Sequence, residues 1–402
     1  MRTLLSLTLA ASALALPSVA LAYDPRHVFI TNRGGQNVVE LDENFTYVRT
    51  WFDGMAFEGM TLSGPSGMAF TPDDSLFLAD YGNNRVVALD ARGAFLRAFS
   101  TASMGTAVES IYFDGAGVLY ATSFPGNGVV ARFDQRGGML PNVINGPAFT
   151  DLGNVNLTEA GDAVLSDFSA MRRGVREISG TTGALLRTFG TDLGRAEDMQ
   201  IDGGDRIFVS HFEGNEIVVF GPAPMRRELY RFTAPASAGV AMAQPTGIAI
   251  THDCHILVGS FTSSAVFVFR HVGDTAPTFE RVLRAGSEIP ASARLSSIES
   301  IAVSGLGQPG GFDEFADYVP SCDEPQTPDA GPSPDAGPLT DAAVNTPDAR
   351  AASDAGRGSS SVTSGCACTA TGRGATAPYG ALSGLALAVL AGGRALRRRR
   401  SA

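Results

Sequence analysis

Short apolar runs, each followed by a turn and a second apolar run, recur along most of this chain. Six of them open a unit: PSGMAF (65–70), VESIYF (108–113), LGNVNL (152–157), AEDMQI (196–201), PTGIAI (245–250) and IESIAV (298–303). With Met68, Ile111, Val155, Met199, Ile248 and Ile301 set equivalent, the steps between copies are 43, 44, 44, 49 and 53 residues. Two positions further on stand Phe70, Phe113, Leu157, Ile201, Ile250 and Val303. A spacing of two puts both sets on one face of a strand. Between them Ala69, Tyr112, Asn156, Gln200, Ala249 and Ala302 are too mixed to form one apolar layer. A repeat of this length predicts stacked units rather than one ordinary globular core.

After each opening run comes a turn, such as Asp114-Gly115-Ala116-Gly117 or Asp202-Gly203-Gly204-Asp205, which reads as a hairpin. The second strand is then LFLAD (76–80), LYATS (119–123), AVLSD (163–167), IFVSH (207–211), ILVGS (256–260) or VFITN (28–32). Five copies continue with an aromatic, namely Tyr81, Phe124, Phe168, Phe212 and Phe261, and Arg33 breaks the pattern in the remaining one. Strands three and four follow, as in RVVALD (85–90) and AFLRAF (94–99). Four strands per unit in a meander predict an all-β, six-bladed β-propeller. No opening strand precedes His27 and no second strand follows 298–303, so these pieces complete one blade. Strands from both ends of the chain then close the ring and leave no unpaired edge. In order the blades are 298–303 with 27–52, then 66–99, 109–144, 153–190, 197–233 and 245–284.

Blade two resembles an NHL repeat, through Pro65-Ser66-Gly67, Ala79-Asp80, Asn83-Asn84-Arg85-Val86 and Asp90-x-x-Gly93. Other blades keep the outline and lose much of the signature: blade four has Asp167 without Asn-Asn-Arg, and blade five has Ser210-His211 in place of Ala-Asp. The resemblance implies a propeller over residues 27–304.

The ends have another character. Residues 1–22 carry Arg2, an apolar run from Leu4 to Leu16 and Ala20-Leu21-Ala22, the pattern of a secretory signal peptide. The propeller domain is expected over 23–319, in an oxidising compartment. Residues 320–365 are rich in Pro, Asp, Ala, Gly and Ser, a composition that predicts a disordered spacer. Residues 366–402 hold Cys366 and Cys368, an apolar run from Tyr379 to Gly393 that predicts a short hydrophobic helix, then Arg394 and Arg397–Arg400. That run is shorter than the roughly 20 residues of a bilayer span, and the arginines would keep its end cytoplasmic. The tail resembles the myxobacterial C-terminal sorting signal, which implies processing near Cys366 or Cys368 and display at the cell surface or outer envelope. A plain membrane tail anchor is the alternative. Net charge is −11, and no basic stripe interleaved with aromatics argues for nucleic acid.

Cys254 lies in the first turn of blade six and Cys322 beyond the closing strand, at the same face of adjacent blades. Export makes a Cys254–Cys322 disulfide the expected pairing. The rival is a metal site at His252-Asp253-Cys254-His255, which lacks an evident fourth ligand.

No nucleophile elbow, zinc-protease helix, phosphate loop or calcium-loop signature is present. Candidate chemistry is therefore positional. The loop before strand one carries Glu109, Glu197 and Glu299, in alternate blades three, five and one. If they converge at the channel mouth, they need a positive partner such as calcium or magnesium, or at least one carboxyl must have a raised pKa. Alternatively each accepts backbone N–H groups in its own loop and never meets the others. The loop after strand two adds Asp80, Asp167 and His211 as mouth residues, with His211 either an acid–base candidate or a satisfied hydrogen-bonding group. The expected function is a surface-anchored module that binds an extracellular protein, glycan or small molecule. The alternative is a metal-assisted lyase or lactonase, since streptogramin lyases and related propeller lactonases use a divalent ion at the channel mouth.

Overall fold

The computed structural model describes residues 26–52, 61–125, 128–144, 151–168, 173–315 and 317–323. The expected signal peptide, most of the spacer, Cys366, Cys368 and the apolar run of the tail lie outside them. Among the described residues no helix is long and apolar enough to cross a membrane.

Six antiparallel four-stranded sheets form the blades. The predicted opening strands are the inner strands: Pro65–Phe70, Ala107–Phe113, Leu152–Leu157, Ala196–Ile201, Pro245–Ile250 and Ile298–Val303. Blade one is composite, as the sequence predicts, with Ile298–Val303 pairing Val28–Asn32, followed by Asn37–Leu41 and Tyr47–Trp51. Second strands such as Val28–Asn32 and Leu76–Asp80 are buried along their whole length, because a neighbouring blade covers each face. Aromatic side chains lock blade to blade, as in Phe29–Phe70 (centroids 5.1 Å apart), Phe77–Phe113 (4.9 Å) and Phe232–Phe269 (4.9 Å). Each buried phenylalanine contributes about 1.5–3 kcal/mol of apolar burial.

Every inner strand carries the same irregularity near its start. Pairing with the second strand skips between Pro65 and Met68, Val108 and Ile111, Leu152 and Val155, Ala196 and Met199, and Pro245 and Ile248. In blade one it skips between Ile298 and Ile301. Two residues per blade thus leave the ladder, a bulge that re-aims side chains. Hydroxyls of the second strand hold this bulge: Thr122 Oγ1 accepts from Ser110 N (3.0 Å) and Ser166 Oγ from Asn154 N (2.7 Å).

The opposite mouth is closed by the chain itself. After Val303 the exit segment crosses beneath the channel, where Leu306, Gln308, Gly311, Phe312 and Phe315 line its floor. Tyr112 Oη donates to Pro309 O (2.6 Å), and Phe312 packs on Phe113 with centroids 5.3 Å apart. At Gly310 the backbone has φ +66° and a Cβ would lie 2.2 Å from Thr158 O, so only glycine fits. The segment then reaches blades five and six, where Gly203 N donates to Pro320 O (3.2 Å) and Gly273 N to Cys322 O (2.7 Å). Cys254 and Cys322 are disulfide-bonded, closing a loop with a sequence separation of 68. A cross-link over such a loop contributes about 2–4 kcal/mol. In the His252–His255 turn, His255 Nδ1 lies 2.9 Å from Asp253, and Cys254 is committed to Cys322, which removes it as a zinc ligand.

Beside this anchor His271 is fully buried, edge-on to Phe208 at 5.5 Å, with neither ring nitrogen hydrogen-bonded. Burial, followed by the nearby Arg206 charge, lowers its pKa to about 4, with Asp323 and Asp274 opposing. The unfolded chain takes up this proton first, so stability present above the ordinary histidine value of 6.5 is lost as pH falls towards 4. The expected loss is about 2–3 kcal/mol, the lower figure allowing for screening through exposed Asp274 and Asp323. Urea midpoints of wild type and His271→Leu at neutral and acidic pH check this. An equal acid-induced loss in both proteins contradicts it.

Candidate functional site

The bulges build the site. Glu109, Glu197 and Glu299 lie within the inner strands rather than in the preceding loops, at the first of the two residues that leave the ladder. Released from pairing, they turn towards the channel mouth, and one oxygen from each lies within 4.8 Å of the others. The arrangement in which each glutamate stays in its own loop is not the one found. The three line a cup of about 20 Å³ with Ser66, Ser110, Asn154 and Ser300. That volume suits one water or one ion.

The positive partner comes first from the protein. Arg33 Nη1 donates to Glu299 Oε1 (2.5 Å) and lies 3.5 Å from Glu109 Oε1, while its guanidinium stacks on Tyr81 at 4.2 Å. Ser66 Oγ also donates to Glu109 Oε1 (2.9 Å). The Oε2 atoms of all three glutamates are buried and have no hydrogen-bond partner. Burial, and then the charge of Glu109, pushes the Glu197 and Glu299 carboxyls well above the ordinary carboxylate range. One step deeper, Asp198 is raised to about 7 by burial, although Ile248 N (3.1 Å) and Met199 N (2.8 Å) donate to it. Asn154 Nδ2 completes its shell and also reaches Ser110 Oγ (3.1 Å), which ties blades three, four and five together.

Around the cup the repeated aromatic slot forms a crown. Phe124, Phe168, Phe212 and Phe261 follow one another at centroid distances of 5.4, 5.6 and 6.3 Å. Tyr81 and Arg33 fill the other two places, and Arg195 lies over Phe168 (3.3 Å) and Phe212 (4.9 Å). Four of the five rings are half-buried, so their edges form the rim.

Asp80, Asp167 and His211 do not join the cup. Each ends a second strand and braces the adjoining chain. Asp80 accepts from Ser63 N (2.7 Å), Asn83 Nδ2 (2.8 Å) and Arg85 Nε (2.7 Å). Asp167 accepts from Arg176 Nη1 (2.5 Å). His211 Nε2 accepts from Gly194 N (3.0 Å), which leaves Nδ1–H for Glu216 at 3.1 Å. Both nitrogens are therefore engaged in bracing the adjoining chain. Arg33 and the channel floor were not read as site features from sequence. For Arg33 the signal was present, as the single charged residue in an otherwise aromatic slot.

This ring, closed by both ends of the chain and carrying carboxylates at one mouth, places the protein among the six-bladed β-propellers. No family model matches the sequence, and no curated protein matches it. Among solved structures it is similar to a chain of the nidogen/laminin complex, with 11% identity and a TM-score of 0.54 over 69% of this chain and 98% of that one. A protein of unknown function from Bacteroides caccae is similar over 69% and 98%, with 13% identity and a TM-score of 0.50. A streptogramin B lyase matches over 65% and 82%, with 13% identity and a TM-score of 0.48. At these identities the first two likenesses show the fold alone.

Proposed function

We propose that this is an exported NHL-like propeller, held at the cell surface by its C-terminal sorting tail, that binds an extracellular protein or glycan through the glutamate-side mouth. The supporting observation is the difference between the mouths. One is floored by the exit segment, and the chain leaves the ring there beside Cys322. A tether at that face leaves the crown pointing outward. Half-buried aromatic edges around a polar centre suit contact with a partner, because they bury large area at low entropic cost. The cup of about 20 Å³ is too small to admit a drug-sized substrate, whose pockets span ~300–1,000 Å³. With His211 committed as well, binding fits the mouth better than a lyase or lactonase reaction.

The test is twofold. Antibody labelling of intact producing cells should detect the chain at the surface, and protease treatment of those cells should remove it. Labelled full-length protein should bind isolated envelope polysaccharide or an exported-protein panel, and Phe168→Ser with Phe261→Ser should weaken that binding about tenfold or more. A chain protected inside intact cells, or binding unaffected by the crown substitutions, overturns the reading.

A further inference from the structure

We infer that Glu109, Glu197 and Glu299 form a binding site for a single hard divalent cation, calcium in preference to magnesium. The inference is independent of the binding role proposed above. Three observations carry it besides the acidic cluster itself.

The first is the set of unpartnered oxygens. Glu109 and Glu299 are 4% and 7% exposed, yet the Oε2 of each, and that of Glu197, has no hydrogen-bond donor. A buried acceptor without a donor costs about 1–3 kcal/mol, more when charged, so three around one small cavity call for an occupant. The neighbouring Asp198 differs, because both of its oxygens have donors. Asp198 takes donors from Met199 N, Ile248 N and Asn154 Nδ2.

The second is charge. Three carboxyl groups meet at the cup, and of the guanidiniums near them Arg33 is the one in ion-pair contact. Arg33 bridges only Glu109 and Glu299, leaving Glu197 without a hydrogen-bonded counter-ion.

The third is size. Ligand oxygens within 4.8 Å of one another fit around an ion whose oxygen distances are about 2.4 Å, as for calcium. Magnesium, at about 2.1 Å and octahedral, requires the oxygens to close further. The cup of about 20 Å³ has room for one ion, and waters entering from the open mouth supply the rest of a six- to eight-oxygen shell. The protein's share is three oxygens, one each from blades three, five and one. A bound ion therefore ties alternate blades across the channel.

The experiment uses the full-length chain after chelator treatment, at neutral pH. Titration calorimetry with calcium chloride should show one saturable site, and the melting temperature should rise with calcium as the logarithm of its concentration above Kd. Magnesium should bind at least tenfold more weakly. Terbium, as a calcium substitute, should luminesce on excitation of tyrosine, because Tyr81 adjoins the cup. Glu197→Gln keeps the side-chain shape and disturbs none of the hydrogen bonds that hold the bulge, so it should fold and lose calcium affinity at least tenfold. Glu109→Gln should do the same, whereas Glu43→Gln, exposed and remote, should change nothing. Absence of saturable calcium binding to the wild-type chain overturns the inference. So does binding that survives unchanged in both Glu197→Gln and Glu109→Gln, which would place the ion elsewhere, or magnesium binding as tight as calcium.

Discussion

Replacing Arg206 with alanine should lower stability by about 3–5 kcal/mol, more than most single substitutions achieve. Arg206 is almost wholly buried where the exit segment meets blades five and six. Its Nε donates to Asp202 Oδ2 (2.7 Å), and its Nη1 donates to Gly273 O (3.0 Å) and Asp274 Oδ1 (2.8 Å). Nη2 holds Ser321 O, one residue before the disulfide. Removing the guanidinium strands Asp202, whose pKa burial already raises to about 6 with Arg206 in place. It also removes the donor to Gly273 O, Asp274 Oδ1 and Ser321 O, and it unpins the floor of the channel. Urea unfolding at neutral pH, with the disulfide intact, measures the effect as a fall in midpoint at unchanged m-value. A loss below about 1 kcal/mol would show that the segment is held by the disulfide and by packing instead.

The fold was legible because the repeat states it six times. Alternation in the inner strands, continuous apolar runs in the second strands and glycine-rich turns all point to the same blade, and agreement between levels is what makes a sequence specify one structure. Ring closure followed from two absences, an inner strand missing before His27 and a second strand missing after Val303. The site was less legible, for a physical reason. A β-bulge shifts two residues without any change in composition, so the sequence does not show that Glu109, Glu197 and Glu299, near the starts of their strands, leave the ladder and meet. The last position of strand two showed the opposite difficulty. Asp80, Asp167 and His211 stand there as polar residues at a mouth, but the same slot braces the preceding loop in other blades as well. Asn32 donates to Arg294 O (2.7 Å) and Ser260 to Ala243 O (2.5 Å) in the same way. Polarity in a repeated slot thus marks a repeated structural bond. The exit segment, unrepeated and poor in pattern, gave only Cys322 as a clue to its course.

Arg33 is the departure from the repeat that matters most, and its loss should be the second large effect. Arg33→Ala is expected to lower stability by about 2–4 kcal/mol at neutral pH, discounted because the arginine is partly exposed while its partners are not. The substitution removes the 2.5 Å bond to Glu299, the ion pair with Glu109 at 3.5 Å and the stacking on Tyr81. Stacking accounts for about 0.5–1 kcal/mol of this, and most of the rest is the cost of carboxylates left together without a counter-charge. A double-mutant cycle separates the two. In a Glu299→Gln background one of the repelling charges is gone, so Arg33→Ala should cost at least 1 kcal/mol less than it does in the wild type. Arg33→Lys should recover only part of the loss, since an ammonium does not stack on the Tyr81 ring as the planar guanidinium does. Full recovery by lysine, or strict additivity in the cycle, would mean that the slot needs only a positive charge near the rim. In the coupled case, the one residue that breaks the aromatic crown is also the one that lets three glutamates share a mouth.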